Sequence, residues 1–284
     1  MTIPRTISNS RLRLVYNNAA DRSTITTSTT AGTLVASNML NNHKSSVWRS
    51  TSTTASIYVA FPTSEFMGCV AIPFCNLTPT ATMRVRGYSD AGGTVLAFDT
   101  GIILAAPYVS SGSWQWDLQL VGVNSFSYGG GTYASVYTPI VAVRTLVINL
   151  VDVDNTLGYV ECARLVAGSY WTPVYNPDYG SSATSQDTSK QYRTEAGDLL
   201  TDTGTISRKI AINLSKLTPA DRAIFWKVIR NVNMSKPVFV SLFPENSDGE
   251  LEQAHQIYGK LPTLGSVSSS SFNIYSAPLE VEEI

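Results

Sequence analysis

Between residues 45 and 90 the chain carries three β-like runs divided by turn residues. This pattern restricts the fold more than any other feature. Residues 56–61 (SIYVAF) are rich in β-branched and aromatic side chains. Residues 68–74 (GCVAIPF) are nearly all apolar, as in a strand buried on both faces. Residues 81–88 (ATMRVRGY) alternate, with Met83 and Val85 on one side and Arg84 and Arg86 on the other. Further runs follow at 94–98, 101–105, 117–123 and 142–151, and a turn at 154–158 returns the chain as the hairpin partner 159–166. Strands at regular spacing with almost no helical period predict an antiparallel β-sandwich. Residues 11–16 (RLRLVY) read as its first strand.

The composition changes at 172–188, where prolines, Gly180 and small polar residues predict an extended connector. Beyond it the pattern is mixed. Residues 204–214 alternate as a strand, and Thr218 and Pro219 mark a helix start, with Asp221 near its positive end. Ile224, Phe225, Val228 and Ile229 then share one helical face. Residues 237–243 (PVFVSLF) read as a buried strand, with closing strands at 255–261 and 271–275. The expected organisation is mainly β: a sandwich over 1–171, a connector over 172–189 and a smaller α+β unit with one helix over 190–284.

Charged residues are 14% of the chain and the net charge is −1. Lys and Arg are scattered, so no footprint for nucleic acid or for an acidic membrane is expected. The missing charge is replaced by Ser, Thr, Asn and Gly, which suits a many-turned β protein or one whose surface neighbours cover. Cys69, Cys75 and Cys162 lie in or beside apolar runs, so buried free thiols are the favoured reading, with one disulfide and a spare thiol as the alternative. The two histidines, His43 and His255, lie far apart, and no CxxC pair accompanies them, which argues against a zinc site. No stretch approaches the roughly 18 apolar residues of a membrane span. The N-terminus has no apolar signal core, so the expectation is a soluble chain made in a cytoplasm.

GxSxG, HExxH, P-loop and dinucleotide motifs are missing, so the expectation is a non-enzyme with no cofactor and no metal. Asp152 and Asp154 could suggest calcium, but Asn155 and Gly158 beside them make a turn the better reading. The functional feature that stands out is aromatic. Trp114, Trp116, Tyr128 and Tyr133 lie in Ser/Gly-rich segments and could stack on sugar rings, with Asn42, His43, Arg49 and Arg86 bonding hydroxyls. For 128–133 the competing reading is packing at a protein interface. Trp48 is expected in the core. Trp226 falls off the apolar helix stripe, and with Trp171, Tyr175 and Tyr179 it is a candidate for contact with another subunit.

Two sets of residues carry a family resemblance. Val47-Trp48-Arg49-Ser50, Cys75-Asn76-Leu77, Met83-Arg84-Val85-Arg86-Gly87 and the later Glu161-Cys162-Ala163-Arg164-Leu165-Val166-Ala167-Gly168 resemble, in that order, the discoidin or galactose-binding-like jelly roll. The resemblance extends to versions of that domain in tail proteins of long-tailed bacteriophages. Arg193-Thr194, Gly197-Asp198-Leu199-Leu200, Lys236-Pro237-Val238-Phe239-Val240 and Ile257-Tyr258-Gly259 are similar to a distal tail protein, whose ring domain usually comes first; here the order is reversed. The resemblance implies a virion protein of a tail tip or baseplate, assembled in the bacterial cytoplasm. Its partners would be other tail proteins and copies of itself, with a host cell-surface glycan as a further one, and neither nucleic acid nor membrane insertion is implied. The alternative is a lectin-like receptor-recognition module without a scaffold role.

Overall fold

A computed structural model describes residues 11–106, 132–246 and 248–284 of the 284-residue chain. Its architecture is mainly β and antiparallel, in two units. The first unit is a sandwich organised by two unusually long strands, Thr54–Cys75 and Thr132–Val151, of 22 and 20 residues. They pair along their whole length, with register shifts between Ala60 and Glu65, Met67 and Cys69, and Ile72 and Cys75. Such irregularities bend a strand and increase its twist. The two separate runs expected at 56–61 and 68–74 are therefore one continuous bent strand. Thr82–Tyr88 adds to the second half of Thr132–Val151, and Val166–Gly168 adds to Thr54–Cys75.

Met83 and Val85 point into the core and Arg84 and Arg86 away from it, as period-two alternation requires. Trp48 is fully buried there, its indole N–H donating to the Thr29 carbonyl at 3.1 Å. Asp152 is also buried and accepts from the Thr78 backbone N–H at 3.0 Å and from Asn155 Nδ2 at 3.0 Å. Its carboxylate thus holds a turn together. Cys69, Cys75 and Cys162 are free and buried.

The second unit is a seven-stranded antiparallel sheet with the helix Pro219–Val232 packed on it. Thr218 caps the helix by accepting from the Asp221 N–H, Asp221 returns the bond as a capping box, and Pro219 opens the first turn. Phe225, Val228, Ile229 and Val232 bury one face. Ile224, expected on that face, stays half-exposed at its edge. Arg13–Val15, read as the sandwich's first strand, pairs instead with Val238–Ser241 at the edge of this second sheet. Alternation marks a strand but carries no address for its partner.

A third apolar cluster joins the units, with Phe74, Tyr133 and Val166 from one side and Phe239 and Tyr258 from the other. At its rim the Tyr133 hydroxyl donates to Glu283 Oε1 at 2.6 Å. Arg208 and Lys44 pair with the same carboxylate at 2.9 and 3.2 Å. Burial alone would raise the Glu283 pKa, but Arg208, Lys44 and the Tyr133 hydrogen bond outweigh it and hold the carboxyl below its usual range.

Ser182–Asp187, expected in the connector, is a strand pairing with Ile206–Leu217. Beyond it the same two chain segments run out as a two-stranded ribbon, Lys190–Arg193 against Leu199–Asp202, in which every residue is exposed. No described helix is long and apolar enough to cross a membrane.

Candidate functional site: a polar cleft between the two units

Asn18 builds one wall of a cleft. It caps the 3-10 turn Ala19–Arg22, its Oδ1 accepting from Ala20 N–H at 3.1 Å and from Ala167 N–H at 2.9 Å. Its Nδ2 donates to the Leu165 carbonyl at 3.0 Å. One side chain thus fastens the turn to the strand Val166–Gly168. Gly168 makes this possible, because a Cβ there would stand 2.6 Å from the Asn17 carbonyl oxygen. The turn presents Asp21 and Arg22, and Asn42 arrives on a separate loop. The opposite wall is the end of the helix and the turn after it: Asn231, Ser235, Lys236 and Pro237. Asn233 takes a positive φ of 42° to close that turn. Tyr16, Asn17, Asp21, Arg22 and Asn42 complete a cavity of about 420 Å³.

Its floor is held from behind by Arg164, which is 1% exposed. The guanidinium pairs with Asp21 Oδ1, donates to the Tyr258 hydroxyl at 2.8 Å and to the Met39 carbonyl at 3.2 Å. Tyr258 in turn donates to Asn42 Oδ1 at 2.9 Å. Burial pushes the Tyr258 phenol up to about 12, against the pull of Arg164, so it stays a neutral donor. Both Asp21 and Asn42 are thereby held by buried groups that do not face the cleft. Asp21 Oδ1 is occupied by Arg164 and by Asn18 Nδ2 at 3.1 Å. Asp21 Oδ2 and Asn42 Nδ2 have no partner among the described residues, so the cleft is offered one acceptor and one donor on fixed side chains. Arg22 is committed elsewhere, to Glu65 through two bonds of 3.0 Å and to Asn17 Oδ1 at 2.9 Å.

Of the residues expected to bind sugar, the described ones, Tyr133, Arg49 and Arg86, stand apart from one another. Trp114, Trp116 and Tyr128 lie outside the described residues. Tyr133 is 1% exposed and belongs to the junction between the units, because the strand Thr132–Val151 begins beside it and turns it inward onto Glu283. Arg49 is tied to Glu161 at 2.6 Å and lies 4.2 Å from the Tyr159 ring centre. Arg86 stands on the outer face of its strand and donates to Asn149 at 3.0 Å. Asn42 is the one expected hydroxyl-bonding residue that lines the cleft.

Of the expected subunit contacts, Trp226, Tyr175 and Tyr179 are exposed. Trp171 is not: it is 6% exposed, packs 6.2 Å from the Phe225 ring and bridges to Leu14 by backbone bonds of 2.8 and 2.9 Å. A large aromatic next to a strand edge closed the core of its own chain. Asp21, Arg164 and Lys236 were missed as site residues. Their only sequence signal is the unusual placement of Arg164 inside the apolar run 162–167 (CARLVA), where a charge must find a partner. Among the described residues no group of His, Cys, Asp and Glu could hold a metal ion.

No protein-family model matches the chain, and no curated protein matches it. Among solved structures it is similar to a GH29 fucosidase of Ruminococcus gnavus in complex with fucose, with a TM-score of 0.38 and 12% identity over 55% of this chain. The match spans 27% of the fucosidase. It is also similar to a CBM32 module of Clostridium perfringens in complex with GalNAc-β-1,3-galactose (TM-score 0.38, 9% identity, covering 54% of this chain and 100% of that one). A fucose-binding module of Streptococcus pneumoniae has a TM-score of 0.36 and 10% identity, covering 57% of this chain and 99% of that one. These proteins are carbohydrate-binding modules or an enzyme crystallised with a sugar, and none of the three is a phage tail protein.

Proposed function

We propose that this chain is a carbohydrate-binding module, without catalysis of its own, that takes a neutral glycan into the cleft between its two units. The observation that carries this is the paired presentation of Asp21 and Asn42. A vicinal diol donates from one hydroxyl and accepts at the other, and a carboxylate oxygen and an amide N–H₂ lining one cleft supply both functions. Fixing the two side chains through Arg164 and Tyr258 lowers the entropy lost on binding. The volume lies within the range of small-ligand sites, and Tyr16 supplies an aromatic wall.

Binding to a panel of neutral oligosaccharides, followed by calorimetry on any hit, tests the reading. Asn42→Ala is expected to weaken binding about five-fold, since a hydrogen-bond donor to the ligand is lost. Lys236→Ala and Asn231→Ala, at exposed positions, probe the opposite wall without disturbing the floor. Binding that none of the three changes would place the sugar elsewhere, and no binding to any glycan would end the reading.

A second reading, a structural virion protein present in several copies at a phage tail tip, has one feature in its favour: the exposed ribbon 190–202 with its uncovered apolar side chains. Electron microscopy of purified tails tests it, and absence of the protein from the particle would remove it.

A further inference from the structure

Two of the three cysteines face each other across a strand pair. Cys75 ends the strand Thr54–Cys75, Cys162 ends the short strand Glu161–Cys162, and the two are antiparallel register partners. The backbone bonds around them show which kind of pair this is. Ala163 N–H donates to the Phe74 carbonyl at 3.1 Å, and Asn76 N–H donates to the Glu161 carbonyl at 3.1 Å. Bonds that flank a position in this way mark the narrow, non-hydrogen-bonded site of an antiparallel ladder. Facing Cα atoms there come to about 4.5 Å and the side chains are at their closest. A disulfide spans Cα atoms about 4.4–6.8 Å apart, so the register alone brings this pair within bonding range.

The side chains also share a direction. Cys75 and Cys162 belong to one core cluster, together with Trp48, Ala134 and Val160. Cys75 Sγ donates to the Thr132 carbonyl at 3.3 Å, and a thiol is a weak donor that loses little by leaving such a bond. Cys69 stands outside this arrangement. Its register partners are Gly168 and Tyr137, and it packs in the separate cluster at the junction of the units. At ordinary strand rise about 20 Å of strand separates it from Cys75.

All three thiols are free in the structure. Burial pushes the Cys75 thiol up to about 12 and the Cys162 thiol well above its ordinary value. Reactive thiolate is therefore scarce in the folded chain, and chemistry at the pair belongs to the stage of folding at which the sulfurs still meet solvent.

We propose that Cys75 and Cys162 form a cross-strand disulfide when the chain folds in the presence of a small-molecule disulfide such as glutathione disulfide. One cysteine thiolate attacks the oxidant, releases one glutathione thiolate and leaves a mixed disulfide. The second cysteine thiolate then attacks the protein sulfur of that mixed disulfide and displaces the other glutathione. Two S–H bonds are lost and one S–S bond is made. The two electrons and two protons end on the two glutathione thiols. The bond closes residues 76–161 into a covalent loop that contains the strands Thr82–Tyr88 and Thr132–Val151. Closing so long a loop restricts the unfolded chain strongly. The inference does not depend on the glycan reading.

The test is to unfold the full chain in urea, refold it in a mixture of reduced and oxidised glutathione, alkylate it, digest it and weigh the peptides. The Cys75 peptide is expected joined to the Cys162 peptide, with Cys69 alkylated. The refolded chain is expected to melt at least about 5 °C higher without dithiothreitol than with it. Cys69→Ala should leave both results unchanged. Cys162→Ala should abolish the link and the effect of reductant. That effect is read within one variant, so any stability lost through the substitution itself cancels. Separate alkylation of Cys75 and Cys162 overturns the proposal, as does a link that involves Cys69 or a linked chain that melts no higher than the reduced one.

Discussion

The junction between the two units and the projecting ribbon are both made of strands carrying charged and aromatic residues, yet they use them in opposite ways. At the junction Tyr133, Arg208, Lys44 and Glu283 form one network around a buried carboxylate, and Phe239 stacks on Tyr133 with ring centres 6.3 Å apart. On the ribbon, Tyr192, Leu199 and Leu200 stay in contact with solvent, and the acids of its tip have no ion-pair partner among the described residues. The same residue types stabilise the fold only where water is excluded around them. Burial strengthens each charge pair and makes each missing partner costly, whereas an exposed charge is screened and contributes little. The difference separates what holds this chain together from what it has free to offer another molecule.

That contrast can be broken by mutation. Phe239→Ala, at a position with no exposure, should cost about 3–5 kcal/mol in urea unfolding, since it removes the ring stacked on Tyr133 and leaves a cavity between the units. A loss under about 1 kcal/mol would mean the two units are not packed as one core. Glu283→Gln should cost about 3 kcal/mol at neutral pH, because Arg208 and Lys44 would lose their shared counter-charge. The pH dependence has a defined sign. The native carboxyl titrates below its ordinary 4.5, so the unfolded chain binds the proton first as the solution is acidified. The stability that Glu283 contributes is therefore complete above about pH 4.5 and is lost as pH falls through the native value. The gap between native and variant should close over that acid window; a gap that is constant with pH would show that the carboxylate charge does not matter. The smallest effect belongs to the ribbon, where Leu200→Ser should change stability by no more than about 0.5 kcal/mol. A larger loss would show that the ribbon is part of the cooperative fold.

Local features were legible before the structure. Thr218, Pro219 and Asp221 mark the helix start because capping is a matter of neighbours three residues apart. Met83 and Val85 mark the inner face of their strand because the pleat alternates at every residue. The three cysteines fell where apolar runs put them, and Trp48 lies in the core as expected of a large aromatic. The cleft was not legible, apart from Asn42. Tyr258 reaches Asn42 across 216 positions and Arg164 reaches Asp21 across 143. Apart from Arg164, set in the apolar run 162–167, none of these residues has a distinctive neighbour that announces its role.

What the chain determined by itself was therefore periodic: strands, their buried faces, one capped helix and a mainly β antiparallel architecture, all set by interactions within a few residues. Only the tertiary structure decided that Arg13–Val15 leaves the sandwich for the second sheet, that Tyr133 turns from a candidate sugar platform into a buried link to Glu283, and that Asp21 and Asn42 face Lys236 across one cleft. The physical reason is the same in each case. A side chain's hydrogen-bonding capacity is written in its type, but which partner satisfies it depends on which distant segments the burial of apolar surface brings together.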